Sequence, residues 1–513
     1  MNDRPISRRA LLHHAGGITF LALTGSGQVA FAADDPRGAS PGKPLPLFQV
    51  LPYLQPGPNG SVLRDGEESI VVCWQTNRVA ADFALTFGEK GKPHGAPLLP
   101  ERIEHFKVDG TDGKDFYRYA VTLRGMALET AYEYRITLNG GRLAEGFFTT
   151  RKKPGRKARF VVFGDNSFGD ISDRHIAYQC YLQKPDFVVN TGDTVYDNGL
   201  INEFTRLFLP VHNADVAHPR VGAPILRSVL FYTVLGNHDT VKDNAKSVSC
   251  ADFSAEPDAG GYYVCLHLPE NGPAAPAFPM PLEGNEAQVA LFRKNAGSRF
   301  PRTANYSFDY ADAHFLCLDS NTYVDPTDPE LQAWIDRDLA GSRAAWKIAV
   351  WHHPSFNMGR QHYANQHMRV LSPLLEKHGV SLVFSGHEHV YQRTRPLRFA
   401  PRDTARAKDI TTGNRLVPGD FTVDRGYDGL KNTVANGIIY VVSGAGGKYL
   451  YDADQNEAPQ NWTHAEDDHV EYGARFLSDR HSLTVIDMDS RRLTLRQIDE
   501  WGAEVDRFVL TKR

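Results

Sequence analysis

Five apolar runs of strand length in this chain each stop at a cluster of Asp, Asn or His. Phe160-Val161-Val162-Phe163 leads into Gly164-Asp165-Asn166, and Phe187-Val188-Val189-Asn190 into Thr191-Gly192-Asp193-Thr194-Val195-Tyr196. Tyr232-Thr233-Val234-Leu235 leads into Gly236-Asn237-His238-Asp239. Ile348-Ala349-Val350-Trp351 leads into His352-His353-Pro354, and Leu382-Val383-Phe384 into Ser385-Gly386-His387-Glu388-His389. In open α/β sheets the ligand lies just beyond the carboxyl ends of the strands. Five strands are therefore expected to aim Asp, Tyr, Asn and His side chains at one place. Each glycine is expected to let the backbone turn sharply there.

The rest of the region supports a layered α/β domain. Apolar runs at 160–163, 187–189, 229–235, 314–318, 346–351, 380–384 and 438–442 alternate with helix-length segments. Strands buried on both faces and interleaved with helices imply this class. Leu331, Trp334, Ile335 and Leu339 share one helical face, as do Met368, Leu371, Leu374 and Leu375. Segments 482–488 and 493–498 read as a closing hairpin. Segments 243–286 and 397–435 are rich in Pro, Gly, Asp and Arg and read as long loops over the sheet rim, either lids or flexible insertions.

Residues 47–150 have another grammar. Short alternating segments at 69–74, 83–87, 117–123 and 132–136 are separated by turn residues, the pattern of an all-β sandwich. Leu128-Glu129-Thr130-Ala131-Tyr132 resembles the turn and tyrosine entering a late strand of a fibronectin type III domain. Residues 34–46 and 151–157 read as linkers. The first 33 residues read as an address. Ser7-Arg8-Arg9 precedes a weakly apolar stretch, and Ala30-Phe31-Ala32 offers a small-x-small cleavage site. This resembles a twin-arginine export signal, which implies a periplasmic or secreted protein. The expected domains are thus 1–33, 46–150 and 158–513.

Composition narrows the chemistry. A formal net charge of −4 argues against a polyanion-binding protein, and no apolar run is long enough to span a membrane. Of 20 histidines, seven fall between 352 and 389: His352, His353, His362, His367, His378, His387 and His389. The five cysteines include no CxxC pair, so a thiolate metal site is not suggested. Cys180 and Cys317 sit in apolar runs and are expected to be buried thiols. Cys250 and Cys265 flank a Gly-rich stretch, and their pairing stays open.

The five clusters, in this order, resemble the motifs of the metallophosphoesterase superfamily, and within it the purple acid phosphatases. The start Leu51-Pro52-Tyr53-Leu54-Gln55, the segment Gly386 to Arg393 and the segment Tyr440 to Gly447 carry the resemblance along nearly all of the chain beyond the signal. The resemblance implies a four-layer α/β/β/α sandwich behind a fibronectin III-like domain. It implies an acid phosphatase that hydrolyses phosphate monoesters by attack of a metal-bound hydroxide on a dinuclear centre. One half-site would hold Asp165, Asp193, Tyr196 and His389. The other would hold Asp193, Asn237, His352 and His387, with His352 preferred to His353 because the family's ligand lies two residues before the proline. Ser167 stands where the wider superfamily has a ligating histidine, and the Tyr196 phenolate would fill that gap. Three anionic oxygens suit a trivalent ion, and the imidazole-rich set suits Zn, Fe or Mn as divalent ions. The family implies Fe(III) in the first site. His238 and His362 would grip the phosphate and protonate the leaving group. The loop Gly164-Asp165-Asn166-Ser167-Phe168 departs from the family pattern, so its substrate contacts are not carried over. A phosphodiesterase or nucleotide-specific phosphohydrolase on the same scaffold, and a non-catalytic surface-binding protein, are the alternatives. No nucleic-acid scaffold is expected as a partner.

Overall fold

The computed structural model describes residues 30–31, 48–79, 81–105, 116–241, 249–274, 280–463 and 472–512. The expected export signal lies outside them, apart from a two-residue strand, Ala30–Phe31, paired to the edge of an N-terminal sheet.

The N-terminal region is two antiparallel sheets. One orders strands Phe48–Pro56, Glu68–Asn77, Phe116–Met126 and Glu101–His105. The other places Ala131–Leu138 between Gly141–Thr149 and Phe83–Glu89. Alternation decides which face is buried: Tyr132, Tyr134, Ile136 and Leu138 point inward along one strand. Phe83 packs edge-on against Trp74 and Tyr119 of the other sheet, with ring centroids 5.6 and 4.8 Å away. Tyr132 Oη accepts the Ala127 amide at 2.9 Å, five residues upstream, and fixes the corner.

Two larger sheets follow, packed face to face. The first orders Leu230–Thr233, Phe187–Asn190, Ala158–Phe163, Ser482–Met488, Arg492–Asp499 and Glu504–Thr511. The three earliest strands of it are mutually parallel. The second sheet has seven strands, with Ala313–Cys317, Trp346–Val350, Leu382–Ser385 and Ile439–Ser443 parallel at its centre. Aromatic rings close the space between them: Phe315 meets Phe160 at 5.2 Å and Phe187 at 5.4 Å, and Phe308 stacks on Tyr232 at 3.7 Å. The helix Ile171–Leu182 buries Ile176, Ala177 and Cys180 beside the first sheet. The helix Pro329–Gly341 is tied to the second by Asp338, whose carboxylate takes the fully buried His314 at 2.8 Å. All five strands whose ends carry the polar clusters are present, and parallel neighbours deliver their carboxyl ends to one edge.

Three local expectations are corrected, and one open question is answered. The closing hairpin gains a third strand, Glu504–Thr511, paired to Arg492–Asp499. Segment 397–435 is not an open loop: Leu397–Pro401 pairs with Gly419–Val423, and Phe399 and Phe421 seat on Phe356 at 5.4 and 5.7 Å. Charged neighbours such as Arg398 and Asp420 hid that alternation. The helical face of 368–375 is split into a 3-10 turn, His367–Leu371, and a short helix, Ser372–Lys377, because Pro373 has no amide to continue a longer helix. His378 ends that helix and bonds Asp336 at 2.8 Å. Cys250 and Cys265 do not pair: all five cysteines are free and buried. Cys250 Sγ lies against the Tyr263 hydroxyl at 3.9 Å, while the Cys265 carbonyl accepts from Gln55 and Arg118 of the N-terminal region.

Candidate metal centre and active site

The loops after the five strands gather the seven expected ligands into one cluster, buried except at the half-buried Asn237. Among the described residues, Asp165, Asp193 and His352 have ligand atoms all within 4.8 Å of one another. Tyr196 Oη donates to Asp193 Oδ2 at 2.9 Å. His352 Nε2 lies 3.0 Å from Asn237 Oδ1 and 3.4 Å from Asp193 Oδ1. His389 Nε2 lies 3.5 Å from Asp165 Oδ1. His387 joins the cluster by its ring, centred 5.0 Å from that of His352, but its Nε2 lies 3.3 Å from Asn365 Nδ2.

The backbone is bent to achieve this. Asp165, Asp193 and His387 take φ values of 57°, 50° and 69°. That left-handed region costs an L-residue roughly 1–2 kcal/mol, and such strain collects at functional sites. The bends thus fall on the candidate ligands themselves. The glycines at 236 and 386 have another task than the sharp turn expected of them, namely room. A Cβ on Gly236 would collide with the amide and carboxylate of Asp193, and one on Gly386 with the carboxylate of Asp165.

The donor set fits a cation. His352 Nδ1 meets the Thr191 carbonyl at 2.8 Å, and His389 Nδ1 meets the Tyr449 carbonyl at 2.8 Å. A carbonyl accepts, so each Nδ1 carries the proton. Burial holds both imidazoles below their usual pKa and hence neutral. Each Nε2 then turns a lone pair toward carboxylate or amide oxygens. Electron-rich atoms converging in a buried site repel one another unless a positive charge sits among them. Burial, and then the charge of Asp193, push the Asp165 carboxyl well above its ordinary range for the same reason. Histidines oriented through Nδ1 by a carbonyl are the usual way to present Nε2 to a metal.

The two candidate substrate histidines rim this cluster, both half-buried. His238 donates its amide to Asp193 Oδ1 at 2.8 Å, its Nδ1 bonds the Asp197 carbonyl at 2.9 Å, and its ring lies 4.5 Å from that of Tyr196. His362 packs 3.9 Å from the ring of His387, and burial, with help from His352, pulls its pKa down to about 4. His353 spends its Nδ1 on Ser320 Oγ at 2.8 Å, and its ring packs between those of His367 at 5.3 Å and His387 at 4.3 Å.

Sequence reasoning passed over several neighbours. Lys448 lies with Nζ 3.5 Å from the Tyr196 ring centroid, and its amide donates to the Asp165 carbonyl. It follows directly on Gly444-Ala445-Gly446-Gly447, so the run after the strand Ile439–Ser443 was the available signal. Asp239 accepts from the amides of Thr194 and Gly236 and binds two ligand loops together. Glu388, Tyr449 and Tyr451 also border the cluster, and nothing in their spacing marked them.

Residues 158–391 match the calcineurin-like phosphoesterase family. The region is a calcineurin-like phosphoesterase domain on the metallophosphoesterase fold. The chain is, more closely, a homologue of the purple acid phosphatases. It is 27% identical over 266 residues to purple acid phosphatase 17 of Arabidopsis thaliana, covering 50% of this chain and 69% of that one. It is 33% identical over 114 residues to purple acid phosphatase 18 of the same plant, covering 21% and 26%. It is 24% identical over 319 residues to purple acid phosphatase 1 of Ipomoea batatas, covering 60% and 58%. The chain thus spans from about a quarter to about two thirds of these relatives' own lengths. A purple acid phosphatase from yellow lupin seeds shares the fold at a TM-score of 0.57 and 18% identity, over 90% of this chain and 74% of that one. Among the described residues no helix is long and apolar enough to cross a membrane.

Proposed function

We propose that this chain is an exported dinuclear-metal acid phosphatase acting on phosphate monoesters. The observation that carries the reading is the convergence of His352 Nε2 with Asn237 Oδ1 and Asp193 Oδ1, three acceptor atoms with no proton among them to share. Asp165, Asp193, Tyr196 and His389 would hold a trivalent ion, Fe(III) by family. Asp193, Asn237, His352 and His387 would hold a divalent one, Zn, Fe or Mn. When bound, such a pair neutralises phosphate charge and lowers the pKa of water.

The chain's own residues supply the rest. Asp193 holds the phenol of Tyr196 and the amide of His238 on its two oxygens, so the two half-sites share one rigid anchor. The Asp197 carbonyl fixes His238 Nδ1 and leaves Nε2 to meet a phosphate oxygen or pass a proton to the departing oxygen. A pKa near 4 makes His362 a neutral donor through most of the acid range, suited to gripping the phosphate. The Ser7-Arg8-Arg9 motif supports export of the folded protein by the twin-arginine route.

Protein stripped with a chelator and reconstituted with iron and zinc should hydrolyse a nitrophenyl monoester much faster than the bis-nitrophenyl diester. A faster diester rate would overturn the monoesterase reading. No hydrolysis of either ester by protein that has taken up metal would overturn the enzymatic one.

A further inference from the structure

The helix Ile171–Leu182 is apolar on two opposite faces. Ile176, Ala177 and Cys180 are buried beneath it. The outer face, at the helical spacing of three and four, carries Ile171, Arg174, His175, Tyr178, Tyr181 and Leu182. A solvent-facing stripe is normally charged and polar, and this one holds a single permanent charge. Ile171, Tyr181 and Leu182 are exposed on it. Two segments packed on its flanks widen the face. The strand pair Asn213–His218 and Gly222–Pro224 lies along the helix and exposes Val216 and Val221. The turn after Arg492–Asp499 sets the Trp501 ring 4.9 Å from that of His175 and leaves it 71% exposed. Among the described residues ten large apolar side chains are exposed, and six of them belong to these three neighbouring segments. Such residues scattered singly are ordinary, but this concentration marks a contact surface. Charges stand at its two ends. Asp170 precedes the helix and Lys184 follows it, both exposed. The Asp170 carboxylate does not cap the helix, and neither side chain forms an ion pair among the described residues.

We propose that this face binds the same face of a second copy of the chain, helix against helix, antiparallel about a two-fold axis at the middle of the helix. Two-fold symmetry sets each position against its counterpart twice over. In the antiparallel arrangement Asp170 of each copy faces Lys184 of the other, and Ile171 faces Leu182. Arg174 faces the Tyr181 ring, an attraction of a cation for an aromatic face. Opposite charges thus meet at both ends. Parallel packing would instead set Asp170 on Asp170 and Lys184 on Lys184. The helix is about 18 Å long, too small alone for the roughly 800 Å² that each partner gives a stable interface. The strand pair and the Trp501 turn supply the missing width. The free carboxylate at one end disfavours an anionic lipid surface as the occupant.

Sedimentation equilibrium on the full chain should give twice the mass of one chain at micromolar concentration. Leu182→Glu, at an exposed position, should weaken the dimer about tenfold or more by placing a charge in the apolar seam. Lys184→Glu should weaken it about as much, because like charges then meet at both ends. Adding Asp170→Lys to Lys184→Glu exchanges the two charges and should return the dissociation constant to within a few-fold of the parent's. A monomeric parent, a dimer indifferent to Leu182→Glu, or a double reversal no tighter than the single one overturns the pairing. A monomeric parent that cosediments with phosphatidylglycerol vesicles, and loses that in Leu182→Glu, would assign the face to a membrane surface instead.

Discussion

Glu388 Oε2 accepts the backbone amide of His362 at 3.1 Å, and the same oxygen takes the side-chain amide of Asn357 at 2.8 Å. The loop between them is held from other sides as well. Gln392 accepts Met358 N at 2.9 Å, Gln366 accepts Asn357 N at 2.8 Å, and Asp452 accepts Arg360 N at 2.7 Å. Glu388 therefore positions His362 through its backbone. Burial pushes the Glu388 carboxyl up to about 8, so at acidic pH it is neutral, and its oxygen still accepts. Glu388→Ala should lower kcat about tenfold or more with metal content unchanged, the scale of a misplaced contact to substrate. Glu388→Gln keeps an accepting oxygen and should retain most of the rate. Metal analysis beside kcat checks this; metal lost in step with activity would assign Glu388 to the ligands instead.

Tyr196 is the test of which metal is held. Burial, then the charges of Asp193 and Asp165, keep its phenol protonated well above its ordinary range in the protein alone. A trivalent ion beside the oxygen would reverse that balance. Iron-loaded protein is expected to show a visible tyrosinate charge-transfer band that vanishes in Tyr196→Phe. An active, colourless parent with two divalent ions would remove Fe(III) and leave a dinuclear hydrolase.

His352 and His353 are adjacent yet differently employed. His352 presents Nε2 to Asn237 and Asp193, whereas His353 spends Nδ1 on Ser320 and packs between His367 and His387 at 5.3 and 4.3 Å. His352→Ala is expected to abolish measurable phosphatase activity and reduce bound metal to one ion or fewer. His353→Ala should cost activity mainly through the packing of His387 and retain both ions. The opposite ranking of kcat and metal content would exchange the two assignments.

Much of this arrangement was legible because strand ends announce themselves. An apolar run followed by Gly-Asp or Gly-His leaves a buried strand few places to put a charge except the sheet edge. The candidate ligands Asp165, Asp193, Asn237, His352, His387 and His389 were visible for that reason. The glycines were read with the right physics only in part: Gly192 takes the expected sharp turn at φ 95°, whereas the other bends fall on Asp165, Asp193 and His387, and Gly236 and Gly386 supply clearance. The hairpin at 397–423 was missed because its inward residues, Leu397, Phe399 and Phe421, alternate with charges that read as loop. Lys448 was signalled only by the glycine run before it, and Tyr449 not at all, because their place depends on two strand-end loops, 164–168 and 444–449, meeting across the centre. No one-dimensional spacing records that meeting.

The two halves of the chain are joined through a buried ion pair. Arg151 Nη2 lies 2.7 Å from Glu68 Oε1, with the side chains 3% and 0% exposed. The guanidinium also donates to the Asn59 carbonyl at 3.0 Å and the Asp309 carbonyl at 3.2 Å, reaching into the second large sheet. Arg151→Ala leaves the Glu68 charge buried without its partner and should cost about 3–5 kcal/mol of stability. Replacing both, Glu68→Gln with Arg151→Met, should recover part of that loss by removing the orphaned charge. Urea unfolding of the parent, the single variant and the double variant measures both effects.

His212 should set how far the protein tolerates acid. Its ring lies among Phe208, Phe231 and Phe163 at 4.8, 5.6 and 5.8 Å, and its Nε2 faces Asn166 Nδ2 at 3.2 Å. Burial pulls its pKa from 6.5 down to about 3. Between those values the unfolded chain binds a proton that the folded one refuses. Stability therefore falls as pH drops through this window, by up to about 1.4 kcal/mol per pH unit from this group. His212→Phe keeps the aromatic packing and does not titrate. It removes one acceptor from Asn166 Nδ2, which retains Ser167 Oγ at 2.8 Å. At pH 7 the variant should be about 1 kcal/mol less stable, the worth of one buried hydrogen bond. Near pH 4.5 the parent's proton penalty exceeds that deficit, so the order of stability should invert. Thermal unfolding at the two pH values decides it: parallel losses in both proteins would mean that His212 is already protonated in the fold.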